Sequence, residues 1–177
     1  MKDFSLKFID TMVAVVLGLG FQWWTSLSEQ WQYLAFVFVY IDIVDYWMDY
    51  SSSLKKFPPK REVDIILDVA IIFALFLYIY STQISIFYFL LSFVLLRVLD
   101  FFWLLSSKHE FHPVGSDKLF VDVWLRYDLI ESVVTVAIMF ASKYFNVLAI
   151  YSLLVFIVFR VLVRALASFR YKKIHFV

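Results

Sequence analysis

The chain has 177 residues, 63% of them hydrophobic and 21% aromatic, with a formal net charge of +1 and no cysteine. Its mean hydropathy is +0.83. Soluble domains run at about 45–50% apolar residues, so the composition excludes a disordered or collagen-like chain and a soluble single domain, whose core could not hide so many apolar side chains. The near-neutral charge excludes a general attraction to nucleic acid, and the lack of cysteine excludes disulfides, thiolate metal sites and cysteine nucleophiles.

A helix needs about 20 residues to cross ~30 Å of hydrocarbon. The first apolar run, 6–26, follows Lys2, includes Lys7, and has no small-residue cleavage site after it, so it reads as a first span and not a cleaved signal. Thr11, Ala14 and Gly18 place small residues along it, and Gly18-Leu19-Gly20 permits one close helix approach. The second run, 31–50, carries Asp42, Asp45 and Asp49. The third, 63–81, opens with Asp64 and Asp68, and the fourth, 84–106, closes with Arg97 and Asp100. The fifth, 126–143, opens with Asp128 and Glu131, and the sixth, 145–169, carries Arg160 and Arg164. These runs are long, continuous and non-alternating, which excludes strands.

The connections at 27–30, 82–83 and 143–145 are short, whereas 51–62 and 107–125 are polar, hold Pro58, Pro59 and Pro113, and are expected to be loops. His109, Glu110 and His112 fall in the second of these and read as solvated loop residues and not as a metal site. Trp23, Trp24 and Trp31 are expected at the outer boundary as an aromatic belt, with Phe, Trp and Tyr dominating the lipid-facing positions.

Basic residues sort by side. Lys2, Lys7, Lys55, Lys56, Lys60, Arg61, Lys108, Lys118, Arg126, Arg170, Lys172 and Lys173 flank one set of span ends, and only Lys143 lies on the other. The positive-inside rule then places both termini in the cytoplasm. The expected fold is an all-α integral membrane protein of six transmembrane helices, N-in and C-in, in one transmembrane domain of the cell membrane. Three tandem helical hairpins, 1–55, 56–115 and 116–177, are suggested by an acid near the start of each first helix (Asp10, Asp68, Glu131) and a charge near the end of each second (Asp42, Arg97, Arg160).

Depth makes these charges informative. Odd spans start on the cytoplasmic side and even spans end there, so all of the intramembrane charges fall in the cytoplasmic half. At a rise of 1.5 Å per residue, Asp42, Arg97 and Arg160 lie roughly 13–15 Å in from the helix ends. Asp42, Asp45 and Asp49 share a helix face, as do Arg160 and Arg164. A charge facing lipid costs about 2.5–3.5 kcal/mol at mid-helix, so the charges must line a wet cavity, pair with one another, or face a partner. The deeper set is Asp10, Asp42, Asp45, Asp68, Asp100 and Glu131 against Arg97, Arg160 and Arg164, a formal excess of three negative charges. Such a vestibule attracts cations, with the arginines holding its geometry. Simple Asp–Arg locking of helices, for example Arg97 with Asp42 or Arg160 with Asp45, is the structural alternative.

No Gly-rich phosphate loop, nucleophile elbow or metal-binding helix motif occurs, and no cofactor or metal is expected. Paired acids such as Asp45/Asp49 and Asp64/Asp68 are reminiscent of intramembrane transferases, but the Gly and Asn or Arg that usually accompany such acids are missing.

Phe8-Ile9-Asp10 at the opening of the first span and Tyr46-Trp47 near the end of the second resemble the six-span potassium channels of prokaryotes and lysosomes. That family carries Arg-x-x-x-Phe-Ser-Asp at the start of span one. The likeness covers about the first 55 residues, with Phe4 at the position of the Arg and Ile9 at that of the Ser. It implies a first span lining a cation pore in an oligomer, with Asp10 in the motif network. The expected function is a cation channel or transporter subunit, passing monovalent or divalent cations as a homo-oligomer. The alternatives are a non-catalytic structural or assembly subunit of a larger membrane complex and, third, an intramembrane enzyme.

Overall fold

The computed structural model describes the backbone of residues 2–171 and the side chains of residues 7–170. Lys172, Lys173 and His175 lie outside the described residues, as do the side chains of Lys2 and Phe4. Six α-helices, and no strand among the described residues, make up the chain: α1 (Lys2–Gly20), α2 (Gln30–Lys56), α3 (Glu62–Tyr80), α4 (Ile86–Phe111), α5 (Gly115–Tyr144) and α6 (Ala149–Tyr171). Tight 3-10 turns, Phe21–Ser26 and Ser81–Gln83, extend α1 and α3.

Local chemistry sets the ends. Gln32 Oε1 accepts from the backbone N–H groups of Ser28 and Glu29 at 2.7 and 2.9 Å, fixing the entry to α2. Pro58 and Pro59 follow α2 and cannot continue it. Asp64 Oδ2 accepts from the Arg61 backbone N–H at 3.1 Å at the start of α3. His112 closes α4 in the left-handed region (φ 44°), donating its N–H to Lys108 O at 3.2 Å, and Pro113 follows.

Boundaries differ from the sequence expectation at both polar segments, and α2 runs on to Lys56, six residues into the expected loop 51–62. The segment 107–125 is helical almost throughout, with only His112–Val114 between α4 and α5. Its polar residues belong to the ends of two long helices: Lys108 pairs with Asp122 at 2.6 Å, and Lys56 with Asp117 at 2.5 Å. His109 sits in the last turn of α4 and not in a loop. Hydropathy marks where a helix can be buried in lipid, not where it stops, so α5, with 30 residues, is about 45 Å long against the 18-residue run 126–143.

α4 is the centre of the bundle, packed against α3, α5 and α6; α1 lies on α2 and α3, and α2 reaches α6. The core between helices is aromatic. Phe93 lies edge-on to Phe156 at 4.8 Å, Tyr78 lies against Phe89 at 5.0 Å, and Trp23 meets Phe76 at 4.9 Å. Trp31 is buried and donates to Glu29 at 2.9 Å, while Trp24 is exposed at the surface. The aromatic side chains therefore fill the interior more than the sequence reading supposed. The outer surface is rich in Val, Leu and Ile, because large rings bridge gaps that a Gly-poor bundle leaves between its helices.

One close approach uses glycine. A Cβ on Gly20 would sit 2.9 Å from Ile79 Cδ1 and Cγ2, so α1 meets α3 there, and Tyr40 on α2 donates to Leu17 O at 2.6 Å beside it. Gly18 has open space, and Thr11 and Ala14 are exposed with it, so the small-residue stripe points away from the bundle.

Four helical segments are long and apolar enough to cross a membrane: Lys7–Ser26, Glu62–Gln83, Ile86–Phe111 and Ala149–Arg170. α2 and α5 carry more charge, yet they are inside out relative to a soluble helix. On α2, Asp42 is buried while Val37, Ile41, Val44 and Met48 are exposed; on α5, Asp128 and Glu131 are buried while Leu129, Val133 and Phe140 are exposed. Apolar side chains outward and carboxylates inward is the arrangement lipid favours.

Candidate functional site: a buried arginine–carboxylate network

Three arginines tie four helices together. Arg160 of α6 donates Nε to Asp42 Oδ1 of α2 at 2.9 Å and Nη1 to Glu131 Oε1 of α5 at 2.8 Å. Arg164, one turn on, grips Asp45 through Nε at 2.5 Å and Nη2 at 2.8 Å, and Asp49 through Nη1 at 2.5 Å. The pairs advance together along both helices, so α2 and α6 run parallel in this register. Arg97 of α4 lies 3.1 Å from Glu131 Oε2, 3.5 Å from Asp128 Oδ1 and 3.6 Å from Asp100 Oδ2. Glu131 thus gives one oxygen to each of two guanidiniums and keeps these like charges together.

Burial grades across the network. Arg164 and its two acids are partly exposed, Arg160 and Asp42 nearly buried, and Glu131 and Asp128 wholly so. Aromatic faces close it in. Arg97 lies 4.9 Å from the Phe93 ring and 5.4 Å from Tyr46, and Arg164 lies 5.4 Å from Trp124. Tyr46 also donates to Asp100 Oδ1 at 3.0 Å. A cleft bordered by Asp45, Asp49, Tyr50, Arg97, Asp100 and Arg164 enters the network and offers about 30 Å³ to water centres, room for a few waters where one needs roughly 10–15 Å³.

The sequence-derived set divides here. Asp42, Asp45, Asp100 and Glu131 meet Arg97, Arg160 and Arg164, but the expected pairs Arg97–Asp42 and Arg160–Asp45 do not form. Asp10 and Asp68 lie apart from the guanidiniums, on aromatic donors. Trp47 Nε1 donates to Asp10 at 3.0 Å; Tyr50 and Trp103 both donate to Asp68 Oδ1, at 2.5 and 2.9 Å. Their places are taken by Asp49 and Asp128. The six acids of the network against three arginines still leave a formal excess of three negative charges.

Asp64 lies at the α3 entry, bonded to Ser106 at 2.7 Å and to Arg61 at 3.1 Å. Arg61, outside the apolar segments, is held above its ordinary pKa first by its hydrogen bond to Asp64 and then by that residue's charge. Asp128 was recoverable from its i, i+3 spacing to Glu131, and Asp49 from its i+7 spacing to Asp42. Tyr46 and Trp47 stood out in the sequence as a pair, but that they and Tyr50 and Trp103 donate to these acids carried no sequence signal, because the contacts reach across helices.

No protein-family model, curated protein or solved structure matches the chain. What the network can do chemically rests on its own geometry. It joins helices strongly, holds more carboxylates than it has cations to neutralise, and borders a cleft lined by charged and aromatic side chains.

Proposed function

We propose that the chain is a six-span, N-in and C-in protein of the cell membrane that moves a cation through the bundle, with Asp45 and Asp49 at a cytoplasmic mouth and Asp42, Asp100, Asp128 and Glu131 behind it. One observation carries this reading: six carboxylates crowd around three guanidiniums beside a cleft, so the site attracts positive charge even after every arginine is paired. The twelve-to-one bias of basic residues supports the orientation. A homo-oligomer is proposed with it, since α1 turns Thr11, Ala14 and Gly18 outward.

Flux of K⁺, Na⁺ and H⁺ into liposomes holding the purified chain is the direct test. Wild type should pass at least one of them, and Asp45→Asn with Asp49→Asn should lower the rate at low ionic strength more than at high. Absence of flux for all three and for divalent cations from folded protein rules the reading out. Topology is testable separately, because the chain has no cysteine: Ser116→Cys should react with an impermeant maleimide from the cytoplasmic side and Ser28→Cys from the other.

A second reading is a non-catalytic subunit of a larger membrane complex. It is favoured by the extent to which the arginines are locked by acids, which would suit a static scaffold. It expects a chain that is polydisperse alone and monodisperse when co-purified with a partner.

A further inference from the structure

Buried polar atoms without a formed hydrogen bond are collected in one place. On α5, Asp128, Glu131 and Thr135 stand at i, i+3 and i+7 on one face, and all three are wholly buried. Asp128 Oδ2 and Thr135 Oγ1 have no hydrogen-bond partner within the protein, and Asp128 Oδ1 and Glu131 Oε2 meet Arg97 at 3.5 and 3.1 Å without a formed hydrogen bond. On α3, the hydroxyl of wholly buried Tyr78 also has none. A helical side chain leans toward the start of its helix, so the Tyr78 ring points back toward the charged layer. It lies 5.7 Å from Phe93, the ring that also covers Arg97 at 4.9 Å, and within electrostatic reach of Asp42, Arg97, Glu131 and Arg160. Behind Tyr78, Ser81 Oγ lies 2.9 Å from Ser92 Oγ, also buried, and at the far end Gln32 donates to Gln83 O at 3.3 Å.

A buried polar atom without a partner is destabilising, and Thr135→Val or Tyr78→Phe would avoid that cost with nearly the same shape. Such atoms are the groups that internal water satisfies in proteins, and Arg97 and Arg160, which line the acidic cleft, are the residues that meet Asp128 and Glu131. The cleft has space for a few waters, and nowhere among the described residues do three acids or imidazoles converge on a point that could hold a metal ion.

We propose that the species moved is the proton, and that it passes from the acidic cleft along Asp128 and Glu131 to the hydroxyls of Thr135 and Tyr78 through bound water. This rests on the cation-transport reading above and narrows it to one ion. A hydronium entering between Asp45 and Asp49 gives its proton to a carboxylate of the network. The proton then moves onto a water held by Thr135 and Tyr78. Each hydroxyl releases its own proton as it accepts another, so no charge is left on it. The charged and titratable groups facing this row are Asp42 from α2, Arg97 and Asp100 from α4, and Arg160 from α6.

The test uses the full chain in liposomes with an internal pH dye and a K⁺ diffusion potential set by valinomycin, alongside separate K⁺ and Na⁺ flux assays without ionophore. Wild type, Thr135→Val, Tyr78→Phe and Thr135→Ser are compared, with thermal stability measured for each. The expected result is H⁺ flux without K⁺ or Na⁺ flux, at least ten-fold slower in Thr135→Val and Tyr78→Phe and retained in Thr135→Ser, with the two slow variants no less stable than wild type. K⁺ or Na⁺ passing at rates comparable to H⁺ overturns the proton assignment and leaves cation transport standing. H⁺ flux unchanged in Thr135→Val and Tyr78→Phe overturns this route. No flux of any ion overturns both the assignment and the reading beneath it.

Discussion

Arg160→Leu is the most informative single perturbation of the network. Among the described residues, Arg160 is the one arginine that joins Asp42 to the rest, and it supplies one of the two cations on Glu131. Its removal leaves Asp42 nearly buried with no guanidinium beside it, while Glu131 keeps Arg97 at 3.1 Å. Breaking a buried pair in this way costs about 3–5 kcal/mol, because a desolvated charge is left uncompensated. That is roughly a hundred-fold to several-thousand-fold in the folding equilibrium. Solvent screening gives no relief, since Arg160, Asp42 and Glu131 side chains are 3, 7 and 0% exposed. Arg160→Lys can reach one acid but not both in this geometry and should fall between. Equilibrium unfolding in mixed detergent micelles, followed by helical circular dichroism, provides the measurement. Adding Asp42→Asn to Arg160→Leu should recover a large part of the loss, because the orphaned charge is then gone. An Arg160→Leu variant within about 0.5 kcal/mol of wild type would refute the reasoning, since that is the range of an ordinary exposed position.

Gly20→Ala should lower stability by about 1–3 kcal/mol through overpacking against Ile79, and Ile79→Ala should suppress that loss in the double variant, read in the same unfolding assay. Asp68→Asn should be tolerated, because an amide oxygen can still accept from Tyr50 and Trp103, whereas Asp68→Leu should cost about 1–3 kcal/mol by leaving both donors unpaired. The Lys56–Asp117 pair is 46 and 36% exposed, so Lys56→Ala should change stability by less than about 1 kcal/mol despite the short contact; a larger loss would mean that the start of α5 is anchored mainly there.

The sequence was most legible along the helix axis. The six helices follow from apolar runs and turn residues, and the placement of Asp42, Asp100, Glu131 and Arg160 in one half of the bundle follows from counting residues. What hydropathy cannot carry is rotation about that axis. Asp10 lies at a suitable depth but turns toward Trp47, and Asp68 turns toward Tyr50 and Trp103, so both leave the guanidiniums. Arg97 and Asp42 are matched in depth, yet each takes other partners, because α5 brings Glu131 between Arg97 and Arg160. The early start of α5 was hidden by charge: Asp117 and Asp122 read as loop residues until their lysine partners on α2 and α4 are seen.

The division of charge between helices has a consequence for how the chain is made. Acids predominate on α2 and α5, which are not among the segments apolar enough to cross a membrane by composition, and the arginines that neutralise them sit on α4 and α6, which are. The separation between Asp42 and Arg160 is 118 residues. During synthesis, α2 therefore emerges with three carboxylates long before its cations exist. Under the proposed six-span topology its carboxylates meet their arginines only once α6 has been made, so insertion of α2 would close with the last helix.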